Sequence, residues 1–145
     1  MKTAIFPGSF DPFTIGHADI VRRALGLFDN IIIGIGTNSL KQSIFPAENR
    51  LAHIRKTFQN EPRVSVEIYT GLTVDFAREH NAQFILRGIR CVADFEYERN
   101  MAEANKHLTG LETVILYTRP EYAHISSTLV RDLYQHGYDI KEYLA

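Results

Sequence analysis

Gly8-Ser9-Phe10-Asp11-Pro12-Phe13-Thr14-Ile15-Gly16-His17 follows the short apolar run Ala4-Ile5-Phe6 and precedes an amphipathic stretch beginning at Ala18. This order predicts a strand, a tight turn bearing glycine and proline, and a helix start. The turn ends in Gly16-His17, so an imidazole stands beside the helix N-terminus. Unpaired amide N–H groups and the helix dipole make such a place attractive to a phosphate. A lone histidine in this position could equally cap a helix or sit half-buried. Its place after Gly16, at the end of a first strand-to-helix turn, favours the functional reading.

The same alternation continues outward. Lys2 to Pro7 reads as a buried strand. Ile20, Val21, Ala24, Leu25 and Phe28 recur at helical spacing. Ile31-Ile32-Ile33-Gly34-Ile35-Gly36 reads as a second buried strand, and a polar loop runs from Thr37 to Ser43. Pro46 suits the first turn of a helix that carries Leu51, Ile54 and Phe58 on one face. Val64 to Tyr69 predicts a third strand, followed by a helix from Thr73 through Ala77 to near His80-Asn81. Phe84-Ile85-Leu86 predicts a fourth strand and Ala93 to Leu108 the longest helix. Thr113 to Tyr117 predicts a fifth strand, Ser126 to His136 a helix closed by Gly137, and Ile140 to Leu144 a last short turn. Continuous apolar strands alternating with amphipathic helices indicate a parallel sheet covered on both faces. The expected fold is α/β: a single Rossmann-like, doubly wound domain over residues 1–145 with a five-stranded parallel sheet.

Composition sets the limits. The chain has 145 residues, 45% of them hydrophobic and 23% charged, with a formal net charge of −1. Those values suit one ordinary globular domain. They give no bulk electrostatic drive toward nucleic acid or an anionic membrane, so neither is expected as a partner. The single cysteine, Cys91, excludes an internal disulfide and suits a cytoplasmic, reducing location. Six histidines are scattered without ligand spacing, which speaks against zinc. Met1-Lys2-Thr3 leads straight into the first strand, so no signal peptide is read, and the apolar runs are too short to span a bilayer.

In doubly wound sheets ligands bind beyond the carboxyl ends of the strands. The first strand is followed by Gly8 to His17, and the second by Thr37-Asn38 and then Lys41. Thr70-Gly71-Leu72-Thr73 follows the third, and Arg87-Gly88-Ile89-Arg90 the fourth. After the fifth, Arg119 to His124 leads into Ile125-Ser126-Ser127-Thr128. Phosphate-type donors thus gather on one sheet edge. Arg87 and Arg90 could be surface arginines, but two of them bracketing a glycine beyond a buried strand suit an anion site at least as well. Ser126-Ser127-Thr128 serves equally as a helix N-cap, a role compatible with phosphate binding. Neither a Walker-type loop nor a Gly-x-Gly-x-x-Gly turn follows the first strand, which argues against P-loop phosphotransfer and dinucleotide oxidoreduction.

Thr14-Ile15-Gly16-His17 resembles the T/H-x-G-H signature of the nucleotidylyltransferase superfamily, and Ile125-Ser126-Ser127-Thr128 resembles its second signature. Arg87-Gly88-Ile89-Arg90, followed by Asp94-Phe95-Glu96-Tyr97-Glu98, together with Gly8 to Pro12 and Lys41, narrows the resemblance to the bacterial phosphopantetheine adenylyltransferases. That resemblance implies an enzyme joining ATP and 4′-phosphopantetheine into dephospho-coenzyme A and pyrophosphate. Ser9, Phe10 and His17 would contact the nucleotide, with Ser9 also near the acceptor phosphate. Lys41, Thr73 and Arg87 would bind phosphopantetheine. Gly88, Ile89, Arg90 and Glu98 would meet ATP, as would Tyr122, Ala123, His124, Ile125, Ser126, Ser127 and Thr128. His17, Lys41 and Arg90 would be the catalytic set, and Glu98 would orient ribose or a ligand shell. Mg²⁺ would accompany ATP. The resemblance also implies a homohexamer and feedback inhibition by coenzyme A. Thr73 stands where relatives carry a larger apolar residue. The rivals are a nicotinate-mononucleotide adenylyltransferase and a non-catalytic nucleotide sensor.

Overall fold

The periods read from the sequence assemble into a parallel sheet in a computed structural model that describes residues 1–38 and 42–145. In chain order the elements are β1 (Thr3–Gly8), α1 (Ile15–Ala24), β2 (Asn30–Gly36), α2 (Ala47–Thr57), β3 (Val64–Tyr69) and α3 (Thr73–Glu79). They continue as β4 (Phe84–Ile89), α4 (Val92–Thr109), β5 (Glu112–Tyr117) and α5 (Ser127–Gln135). Short 3₁₀ turns occupy Pro120–Tyr122 and Lys141–Tyr143. The first of these turns has no periodic signal in the sequence.

The five strands are ordered β3-β2-β1-β4-β5, and every pairing is parallel. Winding runs outward from β1 through β2 to β3, then returns to the other side of β1 for β4. The switch point therefore falls between β1 and β4, where Ala4 pairs with both Ile31 and Phe84. A crevice at that point is the expected ligand position in such sheets.

Helices cover both faces, and the strands show why. Ala4 and Phe6 of β1, with Ile31, Ile33 and Ile35 of β2, pack against Val21 of α1 and Ile54 of α2. The intervening Ile5 and Ile32 join Phe76 and Ala77 of α3 on the opposite face. Alternate side chains of one strand thus enter two different cores, so the strand must be apolar throughout. A third cluster joins Val130 of α5 to Ile125 and Ile140.

Several boundaries differ from the sequence reading: α1 spans Ile15–Ala24 and stops short of Phe28, and the ends of most other elements shift by about one residue. The fourth strand extends beyond Leu86 to Ile89, because Arg87, Gly88 and Ile89 continue the ladder with Ile115, Leu116 and Tyr117. Arg87 and Gly88 are therefore strand residues. Pro46 is the N-cap of α2 rather than its first helical residue. Among the described residues, no helix is long and apolar enough to cross a membrane.

Candidate active site

The turn after β1 is held open by packing and local strain. Phe10 sits at φ +48°, a region that non-glycine residues seldom occupy. Its ring folds back over Gly8, where an added Cβ would lie 2.8 Å from Phe10 Cζ. Asp11 is buried, and its two carboxylate oxygens accept from the backbone N–H groups of Ile44 and Phe45, each at 2.9 Å. Arg50, also buried, donates to the carbonyls of Phe45 and Ser9 and to Ser43 Oγ. These two side chains tie the turn to the segment leading into α2.

His17 is the third residue of α1 and closes a reciprocal cap with Thr14. The His17 backbone N–H donates to Thr14 Oγ1 at 3.3 Å, and the Thr14 backbone N–H donates to His17 Nδ1 at 2.9 Å. A ring nitrogen that accepts from an amide carries no proton, so the neutral ring bears its hydrogen on Nε2. The ring stacks on Phe13 with centroids 5.3 Å apart, and Phe10 meets it edge-on at 5.1 Å. Removal from water, followed by the charges of Arg87 and Arg90, pushes its pKa down to about 3. His17 is therefore a neutral Nε2–H donor at physiological pH.

Arg87, near the end of β4, donates Nε and Nη2 to the two oxygens of Glu98 at 2.9 and 2.7 Å. Its Nη1 donates to the Pro7 carbonyl. Three of five guanidinium hydrogens are committed to these partners, leaving two to face a ligand. Glu98 is buried. The resemblance implies that it meets ATP, and it lines the main cleft. In the structure both of its oxygens serve Arg87, so it fixes the arginine's orientation. Arg90 pairs with Asp94 through Nε at 3.0 Å, and its backbone N–H reaches the same carboxylate at 2.9 Å. Partial burial opposes ionisation of Asp94, but the Arg90 hydrogen bonds prevail and hold its pKa below the usual carboxylate value.

The start of α5 closes the other side. Ser126 is its N-cap, with Oγ accepting from the Leu129 N–H at 3.1 Å. Ser127 Oγ donates to the Pro12 carbonyl at 2.8 Å, joining α5 to the first turn. Arg131 donates to the Asp11 carbonyl and to Thr128 Oγ1.

A cleft of about 290 Å³ at the switch point brings together Ser9, Phe10, His17, Arg87, Gly88, Arg90, Glu98, Ile125, Ser126, Ser127 and Thr128. Thr73 lines a narrower neighbouring cleft of about 150 Å³ whose wall is shared through Pro7, Arg87 and Glu98. Thr113 borders that narrower cleft, but its Oγ1 is enclosed and has no hydrogen-bond partner among the described residues. Four expected ATP positions do not line the main cleft. Tyr122 packs with the α5 cluster, while Ala123 and His124 belong to the approach to Ile125. Ile89 is buried and lines a separate surface hollow beside Tyr117. Lys41 lies outside the described residues. Sequence reasoning missed Asp11, Arg50 and Arg131 as scaffold groups. The Thr14-x-x-His17 spacing resembles a capping box, a signal that could have exposed the histidine's tautomer.

A switch-point cleft with a neutral imidazole donor, two arginines and a helix start belongs to the Rossmann-like nucleotidyltransferases. A model of the cytidylyltransferase-like family matches residues 5–133. A phosphopantetheine adenylyltransferase of Phocaeicola vulgatus is 54% identical over 144 residues, covering 99% of this chain and 95% of the relative. One of Bacteroides fragilis is 52% identical over 144 residues, covering 99% and 96%. The chain belongs to the phosphopantetheine adenylyltransferase family. A solved bifunctional NMN adenylyltransferase/ADP ribose pyrophosphatase from Francisella tularensis shares the fold, with TM-score 0.70 and 21% identity over 99% of this chain. This chain spans only 44% of that protein.

Proposed function

We propose that the chain transfers the adenylyl group of ATP to the phosphate of 4′-phosphopantetheine, forming dephospho-coenzyme A and pyrophosphate. The observation that carries this reading is the Arg87–Glu98 pair, which stands in the wall between the two clefts. Its remaining guanidinium hydrogens can meet an anion between a nucleotide on one side and a slender polar arm on the other. The Thr73 and Asn105 side chains lining the narrower cleft support an arm that carries hydrogen-bonding groups.

The acceptor is a phosphate monoester with a second pKa of about 6, so it is largely ionised at neutral pH and needs no general base. One of its oxygens attacks the α-phosphorus in line, and the bond from that phosphorus to the oxygen bridging to the β-phosphate breaks. Pyrophosphate leaves with that electron pair. His17 donates from Nε2 to an α-phosphate oxygen as charge gathers there. Lys41 and Arg87 hold the acceptor phosphate, and Arg90 with the start of α5 holds the β- and γ-phosphates. Such preorganised donors stabilise the transition state without reorganising.

Among the described residues, no group of three or more His, Cys, Asp or Glu is placed to hold a metal ion. Asp94 and Glu98, the carboxylates lining the main cleft, are each paired with an arginine. The described residues do not form a magnesium cage. Mg²⁺ would arrive with the nucleotide, held by its phosphates and water.

The proposal extends to a homohexamer, supported by apolar exposure on α4 and the edge strand at Val92, Leu108 and Tyr117. It includes inhibition by coenzyme A, which carries both the pantetheine arm and an adenine nucleotide. A cytoplasmic location is supported by the free, exposed Cys91 thiol. A coupled pyrophosphate assay tests the central claim. Release with ATP and 4′-phosphopantetheine, matched by dephospho-coenzyme A, is expected. Release with nicotinate mononucleotide alone, or ATP retention without release, overturns it.

A further inference from the structure

Tyr69 ends β3 and takes no part in the lining of either cleft described above, yet its hydroxyl has a specific partner. Tyr69 Oη lies 2.8 Å from Thr73 Oγ1, and Thr73 lines the narrower cleft. The Tyr69 ring is held independently of that hydrogen bond. It stacks on Phe76 with centroids 4.4 Å apart and planes 12° apart. Both rings lie over Gly34, where an added Cβ would sit 2.6 Å from Phe76 Cε1 and 2.9 Å from Tyr69 Cε1. The missing side chain on β2 is what lets the rings lie there. The Tyr69 carbonyl accepts from the Thr37 N–H at 3.0 Å and from Thr37 Oγ1 at 3.2 Å. Ring and backbone are thus anchored, and the hydroxyl is delivered to Thr73 at a fixed place.

We propose that Tyr69 is a positioning residue for the acceptor, turning the Thr73 hydroxyl proton toward an amide carbonyl of the acceptor's arm. The inference rests on the adenylyl-transfer reading. Of two hydroxyls sharing one hydrogen bond, the phenol is the stronger acid and therefore the better donor. When Tyr69 donates, Thr73 Oγ1 accepts and its own hydrogen stays available to the cleft. The cleft then offers a directed donor where an apolar residue would offer none. Asn105 also lines this cleft, so its wall carries a second polar side chain. An amide-bearing arm satisfies such groups. A hydrocarbon arm leaves them unpaired, and sites built to hydrogen-bond a substrate discriminate strongly against analogues that cannot.

The test is steady-state kinetics on the full chain with 4′-phosphopantetheine and with a simple alkyl phosphate monoester. Y69F keeps the ring stack and the backbone bonds, and its melting temperature reports folding. Its KM for 4′-phosphopantetheine should rise about three- to tenfold, the loss of one ordinary hydrogen bond. Its kcat should stay within about twofold and its KM for ATP should not move, because neither residue lines the main cleft proposed to hold the nucleotide and the reacting phosphorus. T73V should show a KM increase at least as large, T73S should restore it, and Y69F/T73V should be no worse than T73V. With the alkyl phosphate, Y69F should match the wild type. A wild-type KM in Y69F, multiplying effects in the double variant, or an equal loss with the alkyl phosphate overturns the inference and leaves adenylyl transfer intact. A wild-type chain inactive with 4′-phosphopantetheine overturns the parent reading and this inference with it.

Discussion

His17 works as a neutral donor because its surroundings forbid the cation. Thr14 occupies Nδ1, the phenyl rings exclude water, and Arg87 and Arg90 supply like charge. The proposed contact is strongest in the transition state, so His17→Ala should lower kcat about 10²- to 10³-fold while KM for ATP changes little. Steady-state kinetics on the folded variant check this, and wild-type-like turnover would remove His17 from the mechanism. Titration gives a second expectation. The ring's pKa is 6.5 in the unfolded chain and about 3 in the folded one, so the unfolded state binds more protons between those values. Stability from this group is therefore full above pH 6.5 and falls as the pH drops toward 3. The melting temperature of His17→Ala should decline less steeply across that window than that of the wild type. The histidine itself was legible from Gly16-His17. Its proton is hinted at only by the Thr14-x-x-His17 spacing, and the direction of the Thr14 amide decides the tautomer.

The turns between elements show what helical and strand periods leave out. Arg50 lies on an amphipathic helix whose apolar residues alone carry the periodic signal, yet it is buried and bonded to the Ser9 carbonyl of the first turn. Asp11 looks like a turn residue and instead caps the amides of Ile44 and Phe45 across the cleft's flank. Asp11→Ala leaves those two amides without their acceptor, at a cost on the order of 2 kcal/mol. Urea denaturation should show the midpoint lowered at unchanged slope, with Asp11→Asn intermediate because its amide oxygen can still accept one bond. An unshifted midpoint would mean that the capped segment adds nothing to stability. The fourth strand teaches a related lesson. Arg87-Gly88 looks like a loop after Leu86 because a charge and a glycine follow an apolar run, but pairing with β5 carries the strand to Ile89.

Across the whole molecule, the order β3-β2-β1-β4-β5 sets Arg87 and Arg90 on one rim and His17 and Ser126 around the rest of the same cleft. Arg87 borders both clefts, whereas Arg90 borders the main cleft but not the narrower one. Arg87→Ala should therefore weaken 4′-phosphopantetheine more than ATP, and Arg90→Ala should do the reverse. Separate calorimetric titrations of the two ligands check this, and swapped preferences would redraw the site while leaving the family intact. The sequence by itself determined the succession of strands and helices, the glycine-histidine turn and the hydroxyl-rich helix start. All of these are set by local periodicity, turn chemistry and capping within a few residues. Only the tertiary structure decided the strand order, the burial of Arg50 and the commitment of Glu98 to Arg87. Those depend on partners far apart in the chain, such as Arg87 and the Pro7 carbonyl 80 residues away. Local sequence fixes which donors a segment carries, but burial and long-range pairing decide which of them are still free to meet a ligand.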